Sequence, residues 1–117
     1  MIQLKKKHGR IEIEIAAYPM GRDLCVLITG GDTPHLGALT AASPETAPET
    51  IAFRDHKEFH VTEMAAERLR TAYGGNIAVC CGIHLDNIER QEIADVMTLT
   101  ENLVGELCVR LRENISA

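Results

Sequence analysis

A chain of 117 residues is long enough to bury one core and too short to hang a substrate domain on a cofactor domain, so a single α+β domain over 1–117 is expected. Its apolar content of 45% and charged content of 25% are those of an ordinary globular protein and argue against extended disorder. A net charge of −5, with two Tyr, two Phe and no Trp, argues against a phosphate-backbone binder or a base-stacking platform, so no nucleic-acid partner is expected.

The first stretch, "MIQLKKKHGR", carries positive charge with no apolar run behind it, and no segment reaches the length of a membrane span. The expectation is a cytoplasmic protein without a membrane partner, in which Lys5 to Lys7 form a solvated strand edge. Residues 10–17, "RIEIEIAA", alternate Ile11, Ile13 and Ile15 with Arg10, Glu12 and Glu14, the pattern of a strand with one wet face near the edge of a sheet. Pro19 and Gly21 reverse the chain, and "LCVLIT" then runs apolar on both faces, so the two strands make a hairpin. A third strand, "HLGALTAA", follows the loop "GGDTPHLGA". An acidic, Pro-rich loop over 43–50 and a short strand around Ile51 to Phe53 come next.

From Asp55 the period changes. "DHKE" offers an Asp-x-x-Glu capping box, and Phe59, Met64, Ala65, Leu69 and Ala72 recur at helical spacing until Gly74 and Gly75 stop the helix. "NIAVCCGI" reads as a strand buried on both sides. Asp86 opens a second box, "DNIE", before a long helix whose stripe of Ile93, Met97, Thr100, Val104, Leu107 and Leu111 is widened by Val96, Leu99 and Leu103. The order of three or four strands, helix, strand, helix predicts an α+β two-layer sandwich, a mostly antiparallel sheet with both helices on one face. The apolar arc of the last helix is wider than one sheet face requires, which predicts a homodimer through that helix unless the first helix covers the surplus.

Residues able to do chemistry gather at predicted element ends. His35 lies in "GGDTPHLGA", His84 in "CCGIHLDN" and His56 in "RDHKE", with Asp32 and Asp86 close to two of them. Imidazole and carboxylate can ligate a divalent metal, but this spacing fits no short metal motif and no metal set is assigned. Gly30, Gly31, Gly37 and Thr33 supply positive φ and close packing, or else expose amides to a phosphate; the loop lacks the lysine and the following helix of a P-loop. Asp32 and Asp86 can equally hold a turn and cap a helix. Cys25, Cys80, Cys81 and Cys108 have no CxxC spacing and read as reduced, buried thiols, with Cys80 and Cys81 on opposite faces. No nucleophile elbow is present, so no catalytic residue is assigned.

Taken together, "GGDTPHLGA" and "CCGIHLDNI" resemble the motifs of the prenylated-flavin chaperones, the family associated with the D component of gallate decarboxylase, and the order of elements agrees over most of the chain. The resemblance implies a fold similar to the proteasome assembly chaperones, which tend to form dimers. It also implies a helper for a hydroxyaromatic acid decarboxylase, with the decarboxylase catalytic subunit as partner and prenylated FMN as a transiently handled cofactor not needed for folding. The matching positions are Gly30, Gly31, Asp32, Pro34, His35 and Gly37 in the first motif and Gly82, His84, Asp86 and Asn87 in the second. Ile88 and Glu89 depart from the small residue and Thr that follow Asn in the family. Thr33 joins the candidate ligand- or partner-binding set. Two other readings stay open: a small stand-alone enzyme with a histidine–aspartate site, with or without metal, and a pure protein-assembly module.

Overall fold

The computed structural model describes residues 1–53 and 58–116, the side chains of 114–116 excepted. The alternating isoleucines of residues 11–17 form the middle of β2 (Ile11–Met20), which is flanked by β1 (Ile2–His8) and β3 (Asp23–Gly31). β4 (Ala38–Ala42) and β5 (Glu49–Ala52) follow, then α1 (Phe59–Tyr73), β6 (Ile77–His84) and α2 (Arg90–Ser116). The sheet order is β1-β2-β3-β6-β4-β5, antiparallel throughout except for the parallel pair β3–β6. The α+β class with a mostly antiparallel sheet is as expected; five strands rather than three or four precede α1, because the lysine-rich start pairs with β2 as a full edge strand. Its alternation is diluted by three lysines, and β2 is therefore one strand in from the edge.

Both helices lie against one face. Leu4, Ile13, Ile15, Val26, Ile28, Val79 and Cys81 point inward from the sheet into a single contiguous core. α1 packs on β4, β5 and β6, α2 packs on β1 and β2, and the helices touch each other. Leu99, Leu103, Val104, Leu107 and Leu111 of α2 are buried there, 7% exposed or less. The wide apolar arc is thus consumed inside the chain, and it gives no support to a dimer formed through α2. Within the helical layer a row of hydroxyls joins three elements: Thr40 Oγ1 lies 2.7 Å from both Thr50 Oγ1 and Thr62 Oγ1, and Thr50 donates to Glu63 at 2.7 Å.

The other face of the sheet is open, and β6 is accordingly buried on one side rather than two. Cys80 and Ala78 are only half-buried there, while Cys81 faces the core. Gly74, with φ of 84°, ends α1 as read. The proposed box residues Asp55 to Lys57 and His56 lie outside the described residues, and Glu58 precedes α1 with no side-chain cap bond. α2 starts at Arg90 and not at Asp86; the box is Glu89 and Glu92, with the Glu89 amide donating to Glu92 Oε1 at 3.0 Å. Among the described residues no helix is long and apolar enough to cross a membrane.

Candidate functional site

Because β3 and β6 are parallel and adjacent, their carboxyl ends reach the same edge of the sheet, in register from Leu24 with Ile77 to Gly31 with His84. β4 starts at that edge, next to β6 on its other side. The loop from Asp32 to Gly37 therefore crosses over the end of β6, and it does so very closely. The Asp32 amide donates to the His84 carbonyl at 2.6 Å and the Gly37 amide to the Cys81 carbonyl at 2.8 Å. A methyl group on Gly82 would collide with the His35 carbonyl oxygen, and one on Gly31, whose φ is 77°, with the His84 carbonyl. The glycines were expected to let backbone approach a ligand. They let the loop's own backbone lie on β6, and the amides of Asp32 and Gly37 are used in doing so.

This crossing collects polar side chains. The Asp86 amide donates to Asp32 Oδ2 at 3.0 Å, and His84 Nε2 donates to Asp86 Oδ1 at 3.0 Å. Asp86 thus holds the His84 ring and the Asp32 loop instead of capping α2. Asn87 beside it has a φ of 52°, a left-handed conformation that Asn tolerates better than most residues and that turns the chain toward α2. His35 lies 6.4 Å from His84, centroid to centroid and edge to face. His35 Nε2 lies 2.8 Å from Glu58 Oε1, and its Nδ1 3.2 Å from the Thr33 carbonyl. The site is graded in exposure: the His84 and Asp86 side chains are 50% and 74% exposed, those of His35 and Glu58 only 21% and 10%.

Arg10, in the β1–β2 turn, ties the cluster down. Its Nε donates to Glu92 Oε2 at 2.7 Å and its Nη2 to Glu92 Oε1 at 2.8 Å, while Nη2 also reaches the Asp86 carbonyl at 2.9 Å and Nη1 lies 4.0 Å from Asp32. The Arg10 hydrogen bond, then the Glu89 amide, lowers the Glu92 carboxyl to about 2, and the same pairing raises Arg10 further above its ordinary range. Arg10, Glu58 and Glu92 complete the cluster and were missed in the sequence. Glu92 was legible as the fourth residue of a Glu-x-x-Glu box; nothing near Arg10 announced its partners, which are remote in sequence.

The chemistry here is acceptor-rich. Asp32, Asp86, Glu58 and Glu92 outnumber Arg10, which disfavours a phosphate and favours a ligand that offers N–H or O–H groups. Among the described residues no group of three or more His, Cys, Asp or Glu is placed to hold a metal ion. Cys81, behind the site, is no activated nucleophile: burial, then the charge of Glu58, pushes its thiol far up. A shallow pocket of about 510 Å³ lies at the opposite end of the sheet, between Met20, Ala41, Ala78 and Glu49, away from the histidines.

The sequence pattern described as the prenylated flavin chaperone LpdD-like domain matches residues 7–112, which takes in both motifs, α1 and nearly all of α2. Protein LpdD of Lactiplantibacillus plantarum is 34% identical over 93 residues, covering 75% of this chain and 68% of that protein.

Proposed function

The chain belongs to the LpdD-like prenylated flavin chaperone family, and we propose that it is the accessory protein of a hydroxyaromatic acid decarboxylase, serving the catalytic subunit in the cytoplasm by holding prenylated FMN briefly and passing it on. The observation that carries this reading is the exposure of an ordered polar cluster. His84 and Asp86 are fixed by their own hydrogen bonds yet lie open to solvent, which suits exchange of a cargo better than its retention. A cofactor kept for catalysis is ordinarily enclosed in an apolar pocket.

The fit to the cargo is with its ring edge. The flavin pyrimidine ring presents an N–H group, and the Asp32 and Asp86 carboxylates, with the His84 ring nitrogen not used on Asp86, offer acceptors for it. The cluster's acidic balance leaves the phosphate to lie elsewhere, toward solvent or toward the catalytic subunit. In this account Arg10 and Glu92 act at one remove, by holding the Asp86 turn in place.

The test is co-expression of the decarboxylase catalytic subunit alone, with the parent chain, and with His84→Ala. Prenylated FMN bound per catalytic subunit is read by absorbance and mass, and activity is measured beside it. The parent is expected to raise loading, and His84→Ala to lose most of that gain while its melting temperature stays within about 2 °C of the parent, as an exposed side chain allows. Equal loading with and without the chain overturns the function. Full support by His84→Ala overturns the site.

A further inference from the structure

The polar cluster has an apolar neighbour on the rim of the sheet. In β6 the residues Val79, Cys81 and Ile83 face the core, so His84 leaves the strand on the other side, with Cys80 and Gly82. The loop from Asp32 to Gly37 crosses on that open side too, since a methyl group on Gly82 would meet the His35 carbonyl. At the end of the loop the Gly37 carbonyl accepts from the Phe53 amide at 2.8 Å, which carries the β4–β5 pairing one residue beyond Ala52. Ile51 pairs with Leu39 and Leu39 with Cys80, so alternation puts Phe53, two residues after Ile51, on the open side as well. Leu36 and Phe53 thus flank Gly37, one along the chain and one across the pairing, and are 50% and 42% exposed.

Their spacing from the cluster fits a flat molecule. Only β4 separates the two strands, and Gly37 lies opposite Gly82, so Phe53 and His84 are two residues apart in register. Two strand spacings of about 4.8 Å and two residues of about 3.3 Å put them roughly 12 Å apart. A fused flavin ring system lying on this rim, with its pyrimidine N–H at His84 and Asp86, brings its hydrocarbon half to Leu36 and Phe53.

We infer that Leu36 and Phe53 are the apolar half of the cargo site and that they select prenylated FMN over FMN. The inference rests on the cargo function proposed above. FMN presents the same pyrimidine edge, so Asp32, His84 and Asp86 hold both flavins alike; only a surface that meets the added hydrocarbon tells them apart. A Leu side chain and a Phe ring gain with every methylene that covers them, and the ring offers a flat face to a flat cargo. A single exposed apolar side chain is ordinary at a protein surface. Two of them beside fixed polar groups have the composition of a small-molecule site. Ile93, exposed in α2, belongs to the helical layer and lies off this path.

Anaerobic equilibrium dialysis of the purified chain against FMN and against prenylated FMN decides it. The parent is expected to hold prenylated FMN on the order of tenfold more tightly than FMN. Leu36→Ser and Phe53→Ser are each expected to weaken prenylated FMN by about three- to tenfold and to leave FMN within about twofold of the parent. His84→Ala is expected to weaken both flavins by the same factor, and Ile93→Ser neither. Thermal melts check folding; Leu36 lies in the loop, so Leu36→Ser carries the test if Phe53→Ser does not fold. A parent that binds both flavins equally overturns the inference and leaves the cargo function standing, and so does a preference that survives both serine variants. Variants that bind both flavins as the parent does but no longer load the catalytic subunit overturn it too, by assigning the pair to protein docking. A parent that binds neither flavin overturns the cargo function and this inference with it.

Discussion

Arg10 is a single exposed side chain that joins three connections: its own hairpin turn, the Asp32 loop and the start of α2. Because Glu92 has its carboxyl lowered to about 2 against an ordinary 4.5, the stabilisation from this link is complete above pH about 4.5 and fades as pH falls toward 2. Carboxyl carbon shifts followed by NMR are expected to show Glu92 titrating near 2 in the parent and moving up toward the ordinary range in Arg10→Ala. The two histidines separate in the same way by environment. His84→Ala is expected to change stability by no more than about 0.5 kcal/mol. His35→Ala removes a partner from the nearly buried Glu58 carboxylate and is expected to cost on the order of 1–2 kcal/mol, seen as a lower melting temperature. The two histidines differ because only His35 faces Glu58. Gly82→Ala is expected to be the most damaging small change in the cluster. Its methyl group meets backbone, not a yielding side chain, at a cost on the order of 1–3 kcal/mol in the thermal melt.

Elements hold together through two different devices. α2 is fixed by shape, with Leu103 and Leu107 fully enclosed, and Leu103→Ala is expected to lose about 2–4 kcal/mol in a denaturant titration. α1 is fixed to β4 and β5 partly by the Thr62, Thr40, Thr50 and Glu63 chain, so Thr40→Val, nearly equal in volume, is expected to lose about 1–2 kcal/mol by removing the central hydroxyl. Elements with a strong single period were legible in the sequence for this reason: the isoleucine alternation of β2 and the leucine stripe of α2 report which face is buried. β1 was not, since three lysines on its wet side and beyond the core leave only Ile2 and Leu4 to mark a buried face. The same holds for the cluster. Asp32, His35, His84 and Asp86 stood out as surplus polar residues at strand ends, but the partners that lock them, Arg10 and Glu58, are set by topology, which periodicity does not encode. The α2 cap was misplaced for a related reason: Asp86 has the residue type of a cap but is held by His84 and by Asp32.

At the scale of the whole molecule, one layer of helices and one layer of sheet leave a two-sided object whose sides have different duties. The helical side is closed by its own core, the other face of the sheet is open, and the polar cluster sits on the rim between them, at the carboxyl ends of β3 and β6. The position of β6 has a consequence for time as well as space. It is the last strand to be made, yet it lies between β3 and β4, so the first five strands cannot form one sheet until α1 has folded back and β6 has threaded into the gap. Pairing across such separations is slow compared with closing the local β1–β2–β3 meander. The His84 carbonyl that receives the Asp32 amide, and the Asp86 amide that reaches Asp32, arrive with that final strand. The cluster is therefore absent from every partial chain that lacks β6, and whatever binds there stabilises only a chain whose sheet is complete.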